Sequence, residues 1–436
     1  MHAQPPHRTF LIVAAIAGAF VALPAPTLAL QPLSDFVASA QAHNPDALQA
    51  RASLELEKAQ ADLARGRVLP GVALAGSYTR NQYGSNITIA EPGTPPHTFT
   101  ITPNDQLNGT ATLNVPLVNL ANLERIAAAN TTAESSRREL EATHLSVEGQ
   151  VVQDYYQLVA DTALVAASNR ALEYSRSNLH ITEVRFEAGA TASLDVDRAR
   201  TDVETQVQQV TSAELQVALA ARALQSATGL TPDLSSVAPL QDDLHPEAEL
   251  PSFEADLAEL PSVASASLAT EAAEKQADAE RFSLVPSLNA SATENLTNAT
   301  GFTGHEGYYQ LNVNLNWTFD LTNLASIRSR DASAGIARAS EERARLAAGD
   351  AIHLEWRTVA ANIERSRSAR VASETAAHAA DQARERYEAG TAPLLDLLEA
   401  QRDSFTAEVT RIQADADLVN ARVQLRLAAG QDPFRG

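Results

Sequence analysis

The 436-residue chain contains no cysteine. This excludes disulfides, thiolate metal sites, a cysteine nucleophile and thioether lipidation of an N-terminal cysteine. Lysine is nearly absent, with Lys58 and Lys275 alone, so almost every cation is arginine. Positive charge is scarce as a whole: Asp and Glu number 54 against 33 Lys and Arg, a net charge of -21. Nothing here compensates a phosphate backbone, which argues against nucleic-acid binding. The balance suits a soluble surface, or a conduit whose walls repel anions. After the N-terminal region no stretch approaches about 18 uninterrupted apolar residues, so no transmembrane helix is expected. Catalytic signatures are also missing: there is no P-loop, no GxGxxG after a strand, no HExxH and no GxSxG. The histidines from His43 to His378 are scattered, and none pairs with another at the i+3 or i+4 spacing of a helical metal site. The abundant acids read as solvated helix faces. The expectation is a protein without enzymatic activity, cofactor or metal.

Residues 1–29 carry Arg8, an apolar stretch from Phe10 to Leu23 and the small-residue ending Thr27-Leu28-Ala29. They read as a secretory signal peptide cleaved near Ala29. The alternative is an N-terminal membrane anchor, for which the apolar core is short.

What the chain does have is a duplication. Arg185-Phe186-Glu187-Ala188-Gly189 followed by Leu194-Asp195 returns as Arg386-Tyr387-Glu388-Ala389-Gly390 with Leu395-Asp396, 201 positions later. Each copy closes a long helical stretch and opens a shorter one. The first repeat covers residues 30–230 and the second 261–436, with 231–260 as a connecting segment. Pro45 and Pro70 bracket the first helix of one half, Pro261 and Pro286 that of the other, both pairs displaced by 216. The displacement then falls to 201, so about fifteen residues are missing between the strands of the second half. The first half holds a candidate loop there, from Gln82 to Asp105, while the second has a short link near Asn298 to Gly307. Packed helices must keep register, whereas a solvated loop varies freely. The connecting segment, with Pro232, Pro239, Pro246, Pro251 and several acids, reads mainly as a flexible linker, part of which could pack around the helices.

Four strands are expected, at about 71–81, 107–117, 287–296 and 308–319. In the second, Leu107, Gly109, Ala111, Leu113 and Val115 alternate with Asn108, Thr110, Thr112 and Asn114. The fourth alternates Leu311, Val313, Leu315, Trp317 and Phe319 with Asn312, Asn314, Asn316 and Thr318. Such strands suit a barrel wall between lipid and water, or equally a hairpin of a soluble sandwich. Four strands cannot close a barrel, since even small ones need about eight. A membrane reading therefore requires several chains to share one barrel.

Helical hairpins are expected at about 119–228 and 321–429. Their long arms would each span on the order of 100 Å, a length found where helices pair along their whole extent. The short arms carry a seven-residue repeat, Val196, Val203, Val210, Val217 and Leu224 in one and Ala400, Ala407, Ala414, Ala421 and Ala428 in the other. A strict seven-residue repeat keeps a straight seam only if the helices supercoil left-handedly. At the corners, Gly189 and Gly390 suit the left-handed position past a helix end. Asp195 and Asp396 suit the first turn of the next helix through its dipole. The corner alone does not explain why Arg and an aromatic precede each glycine.

With these residues assembled, the chain resembles the TolC-like outer-membrane efflux protein family over essentially its whole mature length. The carrying features are His43-Asn44-Pro45-Asp46, Leu69-Pro70, Val115-Pro116-Leu117 and, above all, the doubled Arg-Phe/Tyr-x-x-Gly-x-x-x-x-Leu-Asp. The resemblance implies a mainly α fold with a β-barrel, in which three chains form a twelve-stranded barrel on a periplasmic coiled-coil tunnel. It implies a passive exit duct in the outer membrane of a Gram-negative bacterium, working with a periplasmic adaptor and an inner-membrane transporter. Asp195, Tyr387, Asp396 and Glu399 match family positions that constrict the tip or line its mouth, and Gly189 and Gly390 match its turns. Three copies of each acid would form rings that attract cations. The chain departs from the family at Ala392, where the best-known member has an arginine that locks the closed tip, and lacks the double glycine after the strand-ending Pro-Leu. A periplasmic adaptor with a long hairpin, or a structural coiled-coil protein of an export assembly, and a soluble enzyme on a helical scaffold are the rival readings. The strands and the full duplication speak against the first.

Overall fold

The computed structural model describes residues 30–90 and 92–433. The expected signal peptide lies outside the described residues. Two short helices, α1 (Leu33–His43) and α2 (Pro45–Gly66), lead into β1 (Gly71–Arg80), β2 (Ser85–Ile89), β3 (His97–Thr102) and β4 (Asp105–Val118). The first helical hairpin follows as α3 (Leu120–Glu187) and α4 (Ser193–Thr228). The second half runs α5 (Pro261–Phe282), β5 (Ser287–Thr297), β6 (Gly307–Asn316), α6 (Leu321–Glu388) and α7 (Leu394–Ala428). Both long helices have 68 residues, about 100 Å at 1.5 Å per residue. The Asn119 and Asp320 side chains cap them by accepting from the N–H of Asn122 and of Asn323.

Three differences from the sequence reading have physical causes. The segment Gln82–Asp105 is not a plain loop: β2 and β3 pair in it as a separate antiparallel hairpin. Pro92, Pro95 and Pro96 sit in the turn between β2 and β3, and Pro103 in the link to β4, so they hide the alternation of Asn86-Ile87-Thr88-Ile89 without breaking it. The fourth expected strand stops at Asn316, and Trp317 instead donates its indole N–H to the carbonyl of Leu284, 3.1 Å away. Ahead of Pro45 stands α1, whose Phe36, Val37 and Ala40 are buried with Val151, Leu158 and Leu224 of the first hairpin.

Strands β1, β4, β5 and β6 form one antiparallel sheet in that order. Val72 lies opposite Leu113, Leu113 opposite Ala292, and Leu288 opposite Leu315. One face is therefore apolar across all four strands apart from Glu294, opposite Ala111 and Tyr309, and the terminal pair Arg80 and Asp105. The other carries Ser77, Asn108, Thr112, Thr293, Asn312 and Asn314, and the hydroxyls of Thr112 and Thr293 meet at 3.2 Å. Both outer strands leave one edge unpaired, and β1 and β6 are exposed throughout. Among the described residues no helix is long and apolar enough to cross a membrane.

The connecting segment is packed, against the flexible-linker expectation. Leu244, Leu250, Phe253, Leu257 and Leu260 cover Ile352, Val359, Leu418 and Leu425 of the second hairpin. Arg422 of α7, its side chain 5% exposed, pins the segment. Its guanidinium donates to Asp242 Oδ2 at 2.8 Å and to the His245 carbonyl at 2.7 Å, and also pairs with Glu247. Arg422→Ala would leave two largely buried carboxylates without their cation, a loss on the order of 3 kcal/mol. The expected outcome is release of the segment, read as faster cleavage by a glutamate-specific protease after Glu247, Glu249 or Glu254.

Asp161 on α3 is buried, and its carboxylate accepts one hydrogen bond, from Gln157 at 2.9 Å. It has no ion pair among the described residues, and burial pushes its pKa up. The ionised form is thus disfavoured in the folded chain. The penalty is full above the raised folded-state value, and it vanishes as pH falls below the ordinary carboxylate value of about 4. Asp161→Asn should raise the melting temperature by a few degrees at neutral pH and leave it unchanged near pH 3.

Candidate gate at the hairpin tips

Each long helix ends in the same way. Gly189 has φ 70° and Gly390 φ 73°, the left-handed region that favours glycine. The N–H of Ala190 donates to Arg185 O at 2.8 Å and that of Gly189 to Phe186 O at 2.9 Å. In the second copy Thr391 donates to Arg386 O and Gly390 to Tyr387 O, both at 2.9 Å. These crossed bonds satisfy the last carbonyls of the helix and turn the chain back on itself. A Cβ at either glycine would meet nothing within 4 Å, so backbone conformation alone demands glycine there.

The arginine before Gly189 and the aromatic before Gly390 now have a physical account within the chain. Arg185 lies over the Tyr387 ring, 4.5 Å from its centroid, and donates to the carbonyls of Tyr387 and Glu388 at 2.8 Å each. It stacks on the aromatic and caps the negative end of α6 in one placement. Tyr387 is 4% exposed, and packs with Ala199, Leu394 and Leu397. Its hydroxyl meets Thr182 Oγ1 at 2.9 Å. Nearby, Asn178 donates to Gln401 Oε1 at 2.6 Å. Tyr387 thus locks one hairpin to the other, and its ring is not presented as open lining. Sequence reasoning missed Thr182, Asn178 and Gln401. The repeated Arg-x-x-x-Gly spacing was the one signal pointing to Arg185.

The acids of the two copies differ. Asp195, in the first turn of α4, accepts from Thr191 Oγ1 at 2.7 Å and lies 3.5 Å from Arg198. Asp396 and Glu399 occupy the matching turn of α7, both exposed, with no hydrogen bond or ion pair among the described residues. The arginine that balances the first copy is replaced by a second acid in the other. Asp396 and Glu399 face each other at i,i+3 as like charges, an arrangement that costs a few tenths of a kcal/mol unless something outside the chain attends it. Ala392 is half-buried beside this turn and offers no cation. Among the described residues there is no cluster of His, Asp and Glu that could hold a metal ion.

A stalk of paired helices about 100 Å long runs into a one-sidedly apolar sheet of four strands whose two edges are open, too few strands to close a barrel within one chain. The family profile described as "Outer membrane efflux protein" matches residues 36–230 and 254–431, and the chain belongs to that family. The family places it in the outer membrane with a large periplasmic part. It is 27% identical over 267 residues to the fusaric acid resistance protein FusA of Burkholderia cepacia, a match covering 60% of this chain and 49% of that one. The chain thus spans about half the length of that relative. It is 24% identical over 371 residues to the outer membrane efflux protein BepC of Brucella suis, covering 83% of this chain and 79% of BepC. The crystal structure of CusC superposes with a TM-score of 0.78 at 16% identity, covering 92% of each chain, which shows the fold.

Replacing either tip glycine by alanine should cost about 1–2 kcal/mol, the penalty of the left-handed conformation. Asn in place of Gly390 should recover part of it, as measured by chemical denaturation.

Proposed function

We propose that the chain is a passive exit duct of a tripartite efflux or type I secretion system. Three copies would share a twelve-stranded barrel, and the helical hairpins would carry substrate across the periplasm. One observation carries the reading: a sheet apolar on one face, polar on the other and open at both edges runs directly into helices of 68 residues. A soluble sandwich would cover its apolar face from within the chain. Here Val72, Leu74, Leu311, Val313 and Leu315 all stand exposed. The partners expected are a periplasmic adaptor at the hairpin tips, an inner-membrane transporter and outer-membrane lipid. The duct itself performs no chemistry, and its own contribution would be width, polarity and a gate.

The gate residues proposed are Asp195, Tyr387, Asp396 and Glu399, turning on Gly189 and Gly390. The paired Asp195 and the buried Tyr387 support a structural role in holding the tips closed. The unpaired Asp396 and Glu399 support a lining role, where threefold copies would concentrate negative charge at a constriction and favour cations. Asp396→Ala with Glu399→Ala should lower cation preference and relieve block by polyvalent cations in planar-bilayer conductance. Unchanged selectivity in a channel that still opens would remove these two residues from the mouth. Extraction of the native protein from outer membranes as a heat-labile trimer tests the duct reading itself.

A further inference from the structure

Between the two hairpins, on the sheet side of the tip lock, the packing opens into a cavity of about 190 Å³. Its floor is made of small side chains at successive turns of α3, Ala167, Ala171 and Ser175, facing Ala377 and Ala380 of α6. Ala167, Ser175 and Ala380 are buried, so the space reaches into the seam between the hairpins. We infer that this cavity binds a small aromatic carboxylate, and that the bound anion ties the two hairpins together. The closing effect rests on the duct reading proposed above; the binding does not.

Three arginines line the cavity, Arg170 from α3, Arg384 from α6 and Arg402 from α7. None makes a hydrogen bond among the described residues. Arg170 lies 3.5 Å from Glu408. That carboxylate is already held by Nε and Nη2 of Arg411, at 3.0 and 2.9 Å, and by the Ser373 hydroxyl at 2.9 Å. Arg384 stacks on the Tyr174 ring at 4.4 Å and lies 3.6 Å from Asp381, whose side chain stands in solvent. The remaining acid of the wall, Asp202, accepts from the Ser175 hydroxyl. The buried acids are thus engaged, whereas the arginines keep their N–H forks open. Such a fork matches a carboxylate with two parallel hydrogen bonds. Gln401 adds a donor to the same wall. Asn178 fixes its Oε1 at 2.6 Å, and its buried Nε2 has no hydrogen-bond partner among the described residues. A buried N–H without an acceptor is uncommon.

The ring follows from size and lining. An apolar cavity of about 150 Å³ takes up benzene. The space here therefore suits one ring with an acid group attached, and Tyr174 and Phe405 supply aromatic walls. The fold itself does not require this set. Moved by the repeat displacement of 201, Arg170, Tyr174, Arg384, Arg402 and Phe405 become Val371, Thr375, Glu183, Thr201 and Glu204. Both copies keep the helices and the turn, but the cations and rings occur in one arrangement alone. They are free to serve a ligand.

The cavity also bridges the parts that must separate if the tip opens. Arg170 and Tyr174 belong to the first hairpin, and Arg384, Arg402 and Phe405 to the second. Arg384 stands about one turn before Tyr387, and Tyr174 about two turns before Thr182. A ligand that needs both hairpins side by side binds the closed arrangement and stabilises it.

The test uses the full chain in detergent, with benzoate and the isosteric, uncharged benzamide as probes in ligand-observed NMR. Benzoate should bind with a dissociation constant on the order of 1 mM, as expected for about nine heavy atoms. It should bind about tenfold tighter than benzamide, which cannot form charge-assisted bonds to the arginines. Arg170→Gln and Arg402→Gln should each weaken benzoate several-fold, and Ala377→Leu, entering the cavity from its exposed side, should abolish binding. Arg176→Gln, at an exposed arginine of α3 outside the cavity, should change nothing. Equal affinity for the two probes, no binding of benzoate to the folded protein, or equal weakening by Arg176→Gln would each overturn the site. In planar bilayers benzoate should lower the open probability of the unaltered channel far more than that of Arg402→Gln. Binding without any effect on a working channel would overturn the closing role. A protein that binds benzoate as described but forms no channel would sink the duct reading and leave the site standing.

Discussion

The structure depends on helices staying in step over about 100 Å. Each long helix is held by a shorter partner through a seven-residue seam, Val210 and Leu224 on one side, Ala414 and Ala421 on the other, all buried. A one-residue insertion anywhere in such a seam would rotate every residue beyond it off the interface. The two halves accordingly keep one displacement from the start of α3 to the end of α4, and from the start of α6 to the end of α7. The length difference between halves is confined to the strand connections, where β2 and β3 form a hairpin beside the main sheet. Constraint and freedom are divided along the chain by what each residue must stay level with.

The same constraint explains how two halves of the same layout acquired different tips. The turns are fixed by backbone conformation at Gly189 and Gly390 and by the crossed hydrogen bonds around them. Side chains pointing away from the turn were free to diverge. Arg198 stabilises Asp195 in one copy, while the other places Glu399 beside Asp396 and leaves both in solvent. Tyr387 gained a hydroxyl with a partner waiting in Thr182, while Phe186 has none and stays largely exposed. Asymmetry enters where the fold does not need symmetry.

Most of the architecture was legible in the sequence, because it rests on periodic patterns and on end signals. Asn119, Asp320 and the two glycines mark the limits of the long helices, and strict alternation marks β4 and β6. What was not legible depends on contacts between distant segments. Leu244, Leu250 and Phe253 follow no helical or strand period, so nothing local shows that they cover α6 and α7. The cation that holds them, Arg422, stands 180 positions from Asp242. Helix α1 is eleven residues long, too short for a repeat to declare itself, and its buried face is defined by the first hairpin. At the tip, the sequence placed the turns at Gly189 and Gly390, where the backbone is left-handed. It could not show that Tyr387 is enclosed, because that needs both hairpins side by side.

The enclosure of Tyr387 has a consequence for how such a tip could open. Arg185 holds the last carbonyls of α6 from the neighbouring hairpin, and Thr182 holds the ring from the same side. Separating the hairpins would therefore uncover the ring, break a buried hydroxyl pair and leave helix-end carbonyls without their cation, all at one place. Buried polar contacts broken together give a switch with two defined positions more readily than a gradual flexing, because partial separation loses the bonds before water can replace them. A partner that opens the tip must then supply equivalent contacts to the same groups: a cation for the carbonyls, an acceptor for the hydroxyl and apolar surface for the ring.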